Sequence, residues 1–243
     1  MMRIDILTLF PEMFSGLNAS IIKRAVEKQF AAIKIHDFRL FSNDKNKRVD
    51  DYSYGGGAGM IISVQPIIDC LRSIKNFQQA RKILTTPVGK VYNQNKAQTL
   101  SKEKHLIIVC GHYEGIDARI YQYIDETISI GDYILTGGEI AASVIVDSVV
   151  RLIPGVLGNE DSNLIESFDD MLLEFPQYTR PQKFEGLEVP EILISGDHEK
   201  VRQYRRFKSL ERTYHNRYDL LLKANLTPED YRFLEKIKRG EDF

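Results

Sequence analysis

The chain has 243 residues, enough for one large domain or two smaller ones, each with its own hydrophobic core. Its 43% hydrophobic and 28% charged residues exclude a disordered or collagen-like chain, and no apolar run is long enough to span a membrane. The net charge of -1 hides an uneven distribution, because residues 158–199 are strongly acidic and residues 200–217 carry an excess of Lys and Arg. A basic stretch of this kind favours contact with nucleic acid.

The first residues do not resemble a secretory signal, because Arg3 and the short apolar run after it lack a full hydrophobic region and a cleavage site. We therefore expect a cytoplasmic protein that does not enter a membrane. Cys70 and Cys110 both have apolar neighbours in the sequence. We expect them to be buried thiols, not disulfide partners or metal ligands.

Short apolar runs alternate with amphipathic segments along the first part of the chain. The predicted strands are residues 3–9, 32–38, 82–86, 106–109 and 127–130, the third of them ended by Pro87. The predicted helices are a segment capped by Asn18 or Ser20, then residues 65–74, 93–100 and 138–150. This alternation predicts an α/β fold in which a mostly parallel sheet carries helices on both faces.

A glycine-rich loop, YGGGAGM, occupies residues 54–60. It contains neither the G-x-x-x-x-G-K-[ST] of a phosphate-binding loop nor a G-x-G-x-x-G turn that opens a helix. Two interpretations remain open: an adaptable surface that closes over a polar ligand, or a flexible connector. Lys45, Lys47 and Arg48 beside it could contact phosphate or could simply be solvated.

Three glycine-bearing turns, at residues 111–115, 131–133 and 136–139, follow short apolar runs within one stretch of the chain. Any one of them could be an ordinary strand-to-helix turn. Together they favour a ligand site, because ligands of open α/β sheets bind outside the carboxyl ends of the strands, where glycine lets the backbone approach closely.

Residues 158–172 are poor in apolar side chains and show no periodicity, so we predict a linker between a first domain, 1–157, and a second, 173–243. The second domain begins with extended segments around 178–181 and 189–190. Asp197 is then placed to cap a basic helix, and two shorter helices are predicted from Tyr214 and from Thr227. We therefore expect the C-terminal domain to be small and helical.

Six segments of the sequence carry a family resemblance. They are LFPEMF at 9–14, VDDYSYGGGAGM at 49–60, VCGHYEGID at 109–117, SIGDYILTGGE at 129–139, DSVVRLIPGVLG at 147–158 and QYTRP at 177–181. With these six segments in this order, the chain closely resembles the bacterial tRNA (guanine-N1)-methyltransferases of the trefoil-knot SPOUT superfamily. The resemblance covers nearly the whole length of the chain.

The resemblance implies methyl transfer from S-adenosylmethionine to N1 of the guanosine on the 3′ side of the tRNA anticodon. It implies a deep trefoil knot, which the general rule against threaded chains would exclude. It also implies a homodimer whose active sites are shared between subunits. Mg²⁺ assists some reactions of this type, but the sequence offers no dedicated ligand cluster for a metal.

In the resembled family the donor lies in the knot, held by three loops with exposed backbone and apolar walls. The corresponding residues here, predicted to bind the donor, are Leu84, Thr85, Thr86, Pro87, Gly111, Tyr113, Glu114, Gly115, Ser129, Ile130, Gly131, Tyr133, Ile134, Leu135, Gly137 and Gly138.

The resemblance also assigns catalytic roles. Arg151 would bond guanine O6, where negative charge develops, and Glu166 would accept the N1 proton. The family usually has aspartate in place of Glu166, so its longer side chain is a departure, and Asp169 is the nearest rival. Taken alone, Arg151 could be an ordinary helix C-terminal residue and Glu166 a solvated charge. Glu114 could bond the guanine amino edge or merely begin a helix.

The predicted tRNA contacts combine these residues with the glycine-rich loop and the basic helix: Gly57, Glu114, Arg151, Lys200, Arg205 and Lys208. The basic helix could also be an amphipathic helix with solvated charges. Ala141 stands where many relatives have proline, and only a local effect is expected.

The main alternative is a SPOUT-type RNA-binding protein with impaired catalysis, for which Glu166 is the only indication. A nucleotide-binding oxidoreductase is disfavoured because a dinucleotide fingerprint is lacking.

Overall fold

The computed structural model describes residues 1–157, 167–168 and 170–243. The chain forms two compact units, Met1–Glu160 and Asp161–Phe243. The boundary between them falls inside the segment predicted as a linker. Glu166 and Asp169 lie outside the described residues. Within the described parts, no helix has both the length and the apolar character needed to cross a membrane.

Unit 1 is built on a five-stranded parallel sheet with the strand order β2-β1-β6-β5-β7. Its strands are β1 Met2–Thr8, β2 Ala31–Asp37, β5 Arg81–Val91, β6 His105–Cys110 and β7 Glu126–Ser129. A separate two-stranded ribbon, β3 Asp50–Asp51 and β4 Ile61–Ile62, brackets the glycine-rich loop. The central strands are almost continuously buried and apolar, as parallel strands covered on both faces must be. The predicted parallel α/β architecture is confirmed.

Each face of the sheet carries its own hydrophobic core, because successive side chains of a strand point to opposite faces. Ile6 and Ile108 belong to one core, and Leu7 and Ile107 belong to the other. The first core is closed by α1 Ser20–Glu27, α3 Gln94–Leu100 and α4 Glu139–Val150. The second is closed by α2 Val64–Ser73. Helices therefore cover both faces, as predicted.

Strand β5 does not end at Pro87, which corrects the sequence prediction. It continues to Val91, with a shift in its pairing to β7 between Thr85 and Lys90. Pro87 is tolerated because it lies in this gap, where the missing N–H removes no ladder hydrogen bond. A Cβ on Gly89 would lie 2.5 Å from the backbone nitrogen of Ile128, so only glycine allows the strand to cross so closely.

The start of α1 also differs from prediction. Neither Asn18 nor Ser20 caps α1, since residues Pro11–Asn18 form a 3-10 helix and the N-cap position belongs to Ala19. A further 3-10 helix, Ala118–Tyr123, follows Gly115. Pro11 begins the first of these 3-10 helices and Asp117 caps the second. The hydrophobic periodicity of the sequence alone does not distinguish such short helices from α-helices.

Unit 2 is mainly helical in its described part. Its helices are α5 His198–Asn216, α6 Tyr218–Leu221 and α7 Pro228–Lys238, preceded by a small hairpin of β8 Lys183–Phe184 and β9 Leu187–Glu188. The Asp197 side chain accepts a hydrogen bond from the Lys200 N–H, so the predicted cap of α5 is confirmed. The helix predicted from Tyr214 is wrong, because Tyr214 lies within α5 and α6 begins at Tyr218.

Candidate active site

One cavity of about 470 Å³ opens at the carboxyl ends of β5, β6 and β7, entirely within unit 1. Every residue predicted from the sequence to bind the donor lines it. The parallel register explains this convergence, since Thr85 pairs with Cys110 on one side and with Ile128 on the other. The loops that leave β6 and β7 therefore start side by side. Seven further residues line the cavity: Val88, His112, Ile116, Tyr121, Ile128, Thr136 and Ala141.

Bare backbone forms much of the cavity wall, and Gly138 shows why glycine is required. The Gly138 N–H donates to the Gly111 carbonyl over 2.7 Å. A Cβ on Gly138 would lie 2.1 Å from Thr85 Oγ1 and 3.0 Å from the Cα of Cys110. Any larger residue would force the three segments apart.

Two exposed tyrosines, Tyr113 and Tyr133, add apolar surface to this backbone. Tyr113 has a φ of 58°, in the left-handed region that non-glycine residues seldom adopt. A strained backbone held by its surroundings is frequent at ligand sites. The cavity thus offers aromatic and aliphatic walls together with free peptide edges, the composition expected of a cofactor site.

The glycine-rich loop is attached to the cavity through Glu114. The Glu114 N–H donates to the Met60 carbonyl over 3.2 Å, and the Ile62 N–H donates to the Gly115 carbonyl over 2.9 Å. A Cβ on Gly59 would lie 2.3 Å from Glu114 Cγ, so the glycine makes room for this carboxylate side chain. Gly57 itself does not line the cavity. The end of the loop near Met60 is therefore anchored, which weakens the flexible-connector interpretation.

A buried carboxylate lies directly beneath the cavity. Glu139, the first residue of α4, is 1% exposed, and its Oε1 accepts a 2.8 Å hydrogen bond from Thr8 Oγ1. His112 Nδ1 lies 3.7 Å from Glu139 Oε2. In the described part of the chain, neither of these two atoms has a hydrogen-bond partner. Sequence reasoning missed this pair, although both residues stand in motifs that it had singled out.

Comparison with known proteins identifies the family. The sequence profile of the family described as tRNA (Guanine-1)-methyltransferase TrmD matches residues 2–223. The chain belongs to this family.

Relatives named tRNA (guanine-N(1)-)-methyltransferase agree with this assignment over nearly their whole length. The protein of Clostridium novyi (strain NT) is 54% identical over 234 residues, 96% of this chain and 97% of that protein. The protein of Dictyoglomus turgidum is 52% identical over 240 residues, 98% of each chain. The protein of Clostridium tetani is 55% identical over 232 residues, 96% of this chain and 97% of that protein.

In this TrmD-family chain, the predicted catalytic arginine does not line the cavity. Arg151 is the C-terminal cap of α4, and its N–H donates to the Asp147 carbonyl over 3.2 Å. Gly138, at the other end of the same helix, forms the cavity wall. Arg151 follows Gly138 by 13 residues, which corresponds to roughly 20 Å along a helix at 1.5 Å per residue. The other predicted catalytic residue, Glu166, and its rival Asp169 are outside the described residues.

The basic residues predicted for tRNA binding lie on α5 of unit 2, in different local settings. Lys200 and Arg205 are exposed, and the Arg205 guanidinium lies 5.0 Å from the centre of the Phe175 ring. Lys208 Nζ lies 3.0 Å from Glu211 and 2.8 Å from Asp242. Lys208 therefore has two carboxylate partners and a mostly covered side chain, whereas Lys200 lies 3.3 Å from Asp197 and remains largely exposed, as does Arg205.

Proposed function

We propose that this chain methylates N1 of the guanosine on the 3′ side of the tRNA anticodon, with S-adenosylmethionine as the methyl donor. The reaction class follows from family membership: the chain is a tRNA (guanine-N1)-methyltransferase and therefore an enzyme. The observation that carries the proposal is the family match over nearly the whole chain. The alternative of a catalytically impaired RNA-binding protein is not favoured, because the similar proteins are named as methyltransferases.

The cavity in unit 1 fits the donor. Its volume of about 470 Å³ falls within the roughly 300–1,000 Å³ of small-molecule sites. The peptide edges at Gly111, Gly137 and Gly138 suit hydrogen bonds to a purine, and Tyr113 and Tyr133 suit the apolar parts of an adenosyl group. These residues would hold the donor in a knotted sheet, which is the fold we propose for unit 1.

The acceptor needs a base, because guanine N1 carries a hydrogen. S-adenosylmethionine supplies the methyl group. When the bond between this methyl group and the sulfonium sulfur breaks, the sulfur becomes that of a neutral thioether. As the N1–methyl bond forms, the N1 proton passes to the Glu166 carboxylate, and the Arg151 guanidinium stabilises the negative charge on O6. Glu114, at the cavity edge, accepts from the guanine amino group. Glutamate performs the chemistry of the usual aspartate, with its carboxylate displaced by about one carbon–carbon bond.

A second copy of the chain would bring Arg151 to the donor, which is the reason we propose a homodimer with shared sites. Arg151 and the cavity lie at opposite ends of α4 in one chain, too far apart for one side chain to bridge. Ile140 and Val144, on the same helix, are 49% and 42% exposed, and they are one turn apart. Exposed aliphatic side chains on a helix whose other aliphatic side chains are buried suit a contact with another chain.

Unit 2 would hold the tRNA through its backbone phosphates. Lys200 and Arg205 are exposed on α5 and carry positive charge without base-specific geometry.

We place the enzyme in the cytoplasm, where its tRNA substrate is found. Among the described residues no group of three or more His, Cys, Asp and Glu could hold a metal, so Mg²⁺ has no assigned ligands.

Transfer of a labelled methyl group tests the proposed function. A tRNA transcript with guanosine next to the anticodon should accept label from methyl-labelled S-adenosylmethionine, and the matched transcript with adenosine there should not. Binding of both transcripts without transfer would contradict the proposal and favour the RNA-binding alternative. Equal labelling of both transcripts would contradict the target position.

A further inference from the structure

The His112–Glu139 pair joins two loops of the donor cavity, and the mechanism above gives it no role. His112 belongs to the loop after β6, and Glu139 begins α4 directly after the Gly137-Gly138 turn. The backbone of His112 forms an antiparallel bridge with Gly137. A Cβ on Gly137 would lie 2.3 Å from both His112 Nδ1 and Glu139 Oε2. The two side chains therefore meet beside Gly137, which has no side chain to obstruct them.

Glu139 requires a positive or donating partner. Its side chain is buried, and Thr8 satisfies only Oε1. Its position in the first turn of α4 favours a negative charge, because the N-terminal end of a helix is electropositive. A buried carboxylate oxygen without a hydrogen bond is costly, and such atoms in native proteins mark a site with a function to explain.

His112 is held ready to be that partner. Its ring packs against Phe10, with centroids 4.5 Å apart, and against Tyr113, with centroids 5.1 Å apart in a T-shaped arrangement. The 3.7 Å between Nδ1 and Oε2 exceeds the roughly 2.7–3.2 Å of an N–H···O hydrogen bond. A closure of less than about 1 Å would form a charge-assisted bond.

Few other titratable groups face the pair. The Cys110 thiol on β6 is neutral, because burial raises its pKa well above the usual value and Glu139 raises it further. Tyr113 and Glu114 lie on the same loop as His112, on its cavity side. From β1 the neighbouring group is Thr8, which does not titrate.

We propose that His112 and Glu139 are positioning residues whose ion pair closes the 111–115 and 136–139 loops around the donor. This inference rests on the proposed donor site and deepens it. Protonated His112 neutralises the buried carboxylate, and the closed loops then present their peptide edges to the ligand. Removing either member of the pair should consequently weaken donor binding.

Calorimetry with S-adenosylhomocysteine tests the pair. His112→Phe should bind about tenfold more weakly than wild type, the size expected for one charge-assisted hydrogen bond. His112→Arg, with a permanent cation, should bind at about the wild-type strength. His198→Phe, a change of an exposed histidine in unit 2, is the matched control and should leave the affinity unchanged.

Glu139→Gln and the double variant with His112→Phe complete the experiment. Glu139→Gln should also bind about tenfold more weakly, because a neutral amide cannot pair with a cation. The double variant should bind no more weakly than the weaker single variant, because the two changes remove one interaction. Unchanged binding by folded His112→Phe or by folded Glu139→Gln would overturn the inference while leaving the donor site intact. Failure of wild type to bind S-adenosylhomocysteine at all would instead count against the proposed function. Circular dichroism identifies any variant that does not fold, and Glu139→Gln, which keeps the size of the side chain, decides the question if His112→Phe does not fold.

Discussion

Gly138 and Arg151 lie at opposite ends of one helix, α4, and of the two only Gly138 lines the cavity of unit 1. The Gly138 backbone is locked to Gly111, whereas the Arg151 N–H closes the last turn of the helix. Two residues that the proposed mechanism brings to the same substrate are therefore held roughly 20 Å apart within a chain. This separation leads directly to a test of shared active sites.

Mixing two defective variants should restore activity if each site uses two chains. Arg151→Ala and Gly138→Ala would be combined at a donor concentration at which neither is active alone. Subunit exchange should then give roughly a quarter of wild-type activity, since half of the dimers are mixed and each has one complete site. Mixing that demonstrably exchanges subunits but restores no transfer would show that Arg151 serves its own chain.

Arg151→Ala and Glu166→Ala should lower single-turnover methyl transfer by roughly 10²–10³-fold, because in the proposed mechanism each supplies a charge or a base needed only as N1 loses its proton. Affinity for S-adenosylhomocysteine should be nearly unchanged. Glu166→Asp is the matched control, and it should stay close to wild type, since it keeps the carboxylate. A normal single-turnover rate for Glu166→Ala would make the base assignment wrong and direct attention to Asp169.

Gly138→Ala should weaken donor binding and destabilise unit 1. The added Cβ would meet Thr85 Oγ1 at 2.1 Å and the Cα of Cys110 at 3.0 Å. Overpacking of this kind costs about 1–3 kcal/mol of unfolding free energy. Gly16→Ala is the control, because a Cβ there has no neighbour within 4 Å among the described residues. Chemical denaturation of both variants measures the difference, and equal stabilities would contradict the packing argument.

Asp5 should make the enzyme sensitive to acid. Burial raises its pKa, but hydrogen bonds from His36, Arg3 and His105 outweigh burial and lower the pKa to about 2. Because the folded-state pKa lies below the ordinary value of 3.8, this stabilisation is complete above pH 3.8 and is lost as pH falls towards about 2. The loss should be about 2 kcal/mol of unfolding free energy.

Asp5→Asn should remove this acid-dependent loss and lower stability at neutral pH, where the three hydrogen bonds to a carboxylate are strongest. Urea unfolding at several pH values measures it. A variant that loses as much stability on acidification as wild type would assign the acid sensitivity to other carboxylates.

The sheet and the loops that line the cavity could be predicted from the sequence because their signals are local. Apolar runs followed by glycine turns mark the strand ends, and parallel strands bring those ends together. Pro87 misled the prediction, since a proline normally ends a strand, and only the gap in pairing to β7 shows why this one does not.

Contacts between residues far apart in the chain could not be predicted from the sequence. Glu139 and His112 meet through the packing of α4 on β6, and no spacing rule predicts that pair. The basic helix likewise contains Arg206, whose guanidinium makes 2.7 and 2.8 Å hydrogen bonds to buried Asp230. Sequence charge alone cannot distinguish this structural arginine from the exposed Arg205 beside it.

A crystal structure with S-adenosylhomocysteine bound is the most direct test that the bare-backbone cavity of unit 1 holds the methyl donor. The ligand should lie between the loops that carry Tyr113 and Tyr133, with its adenine edge hydrogen-bonded to main-chain atoms of the glycine turns. Density for the ligand elsewhere on the protein, with this cavity filled only by water, would contradict the account.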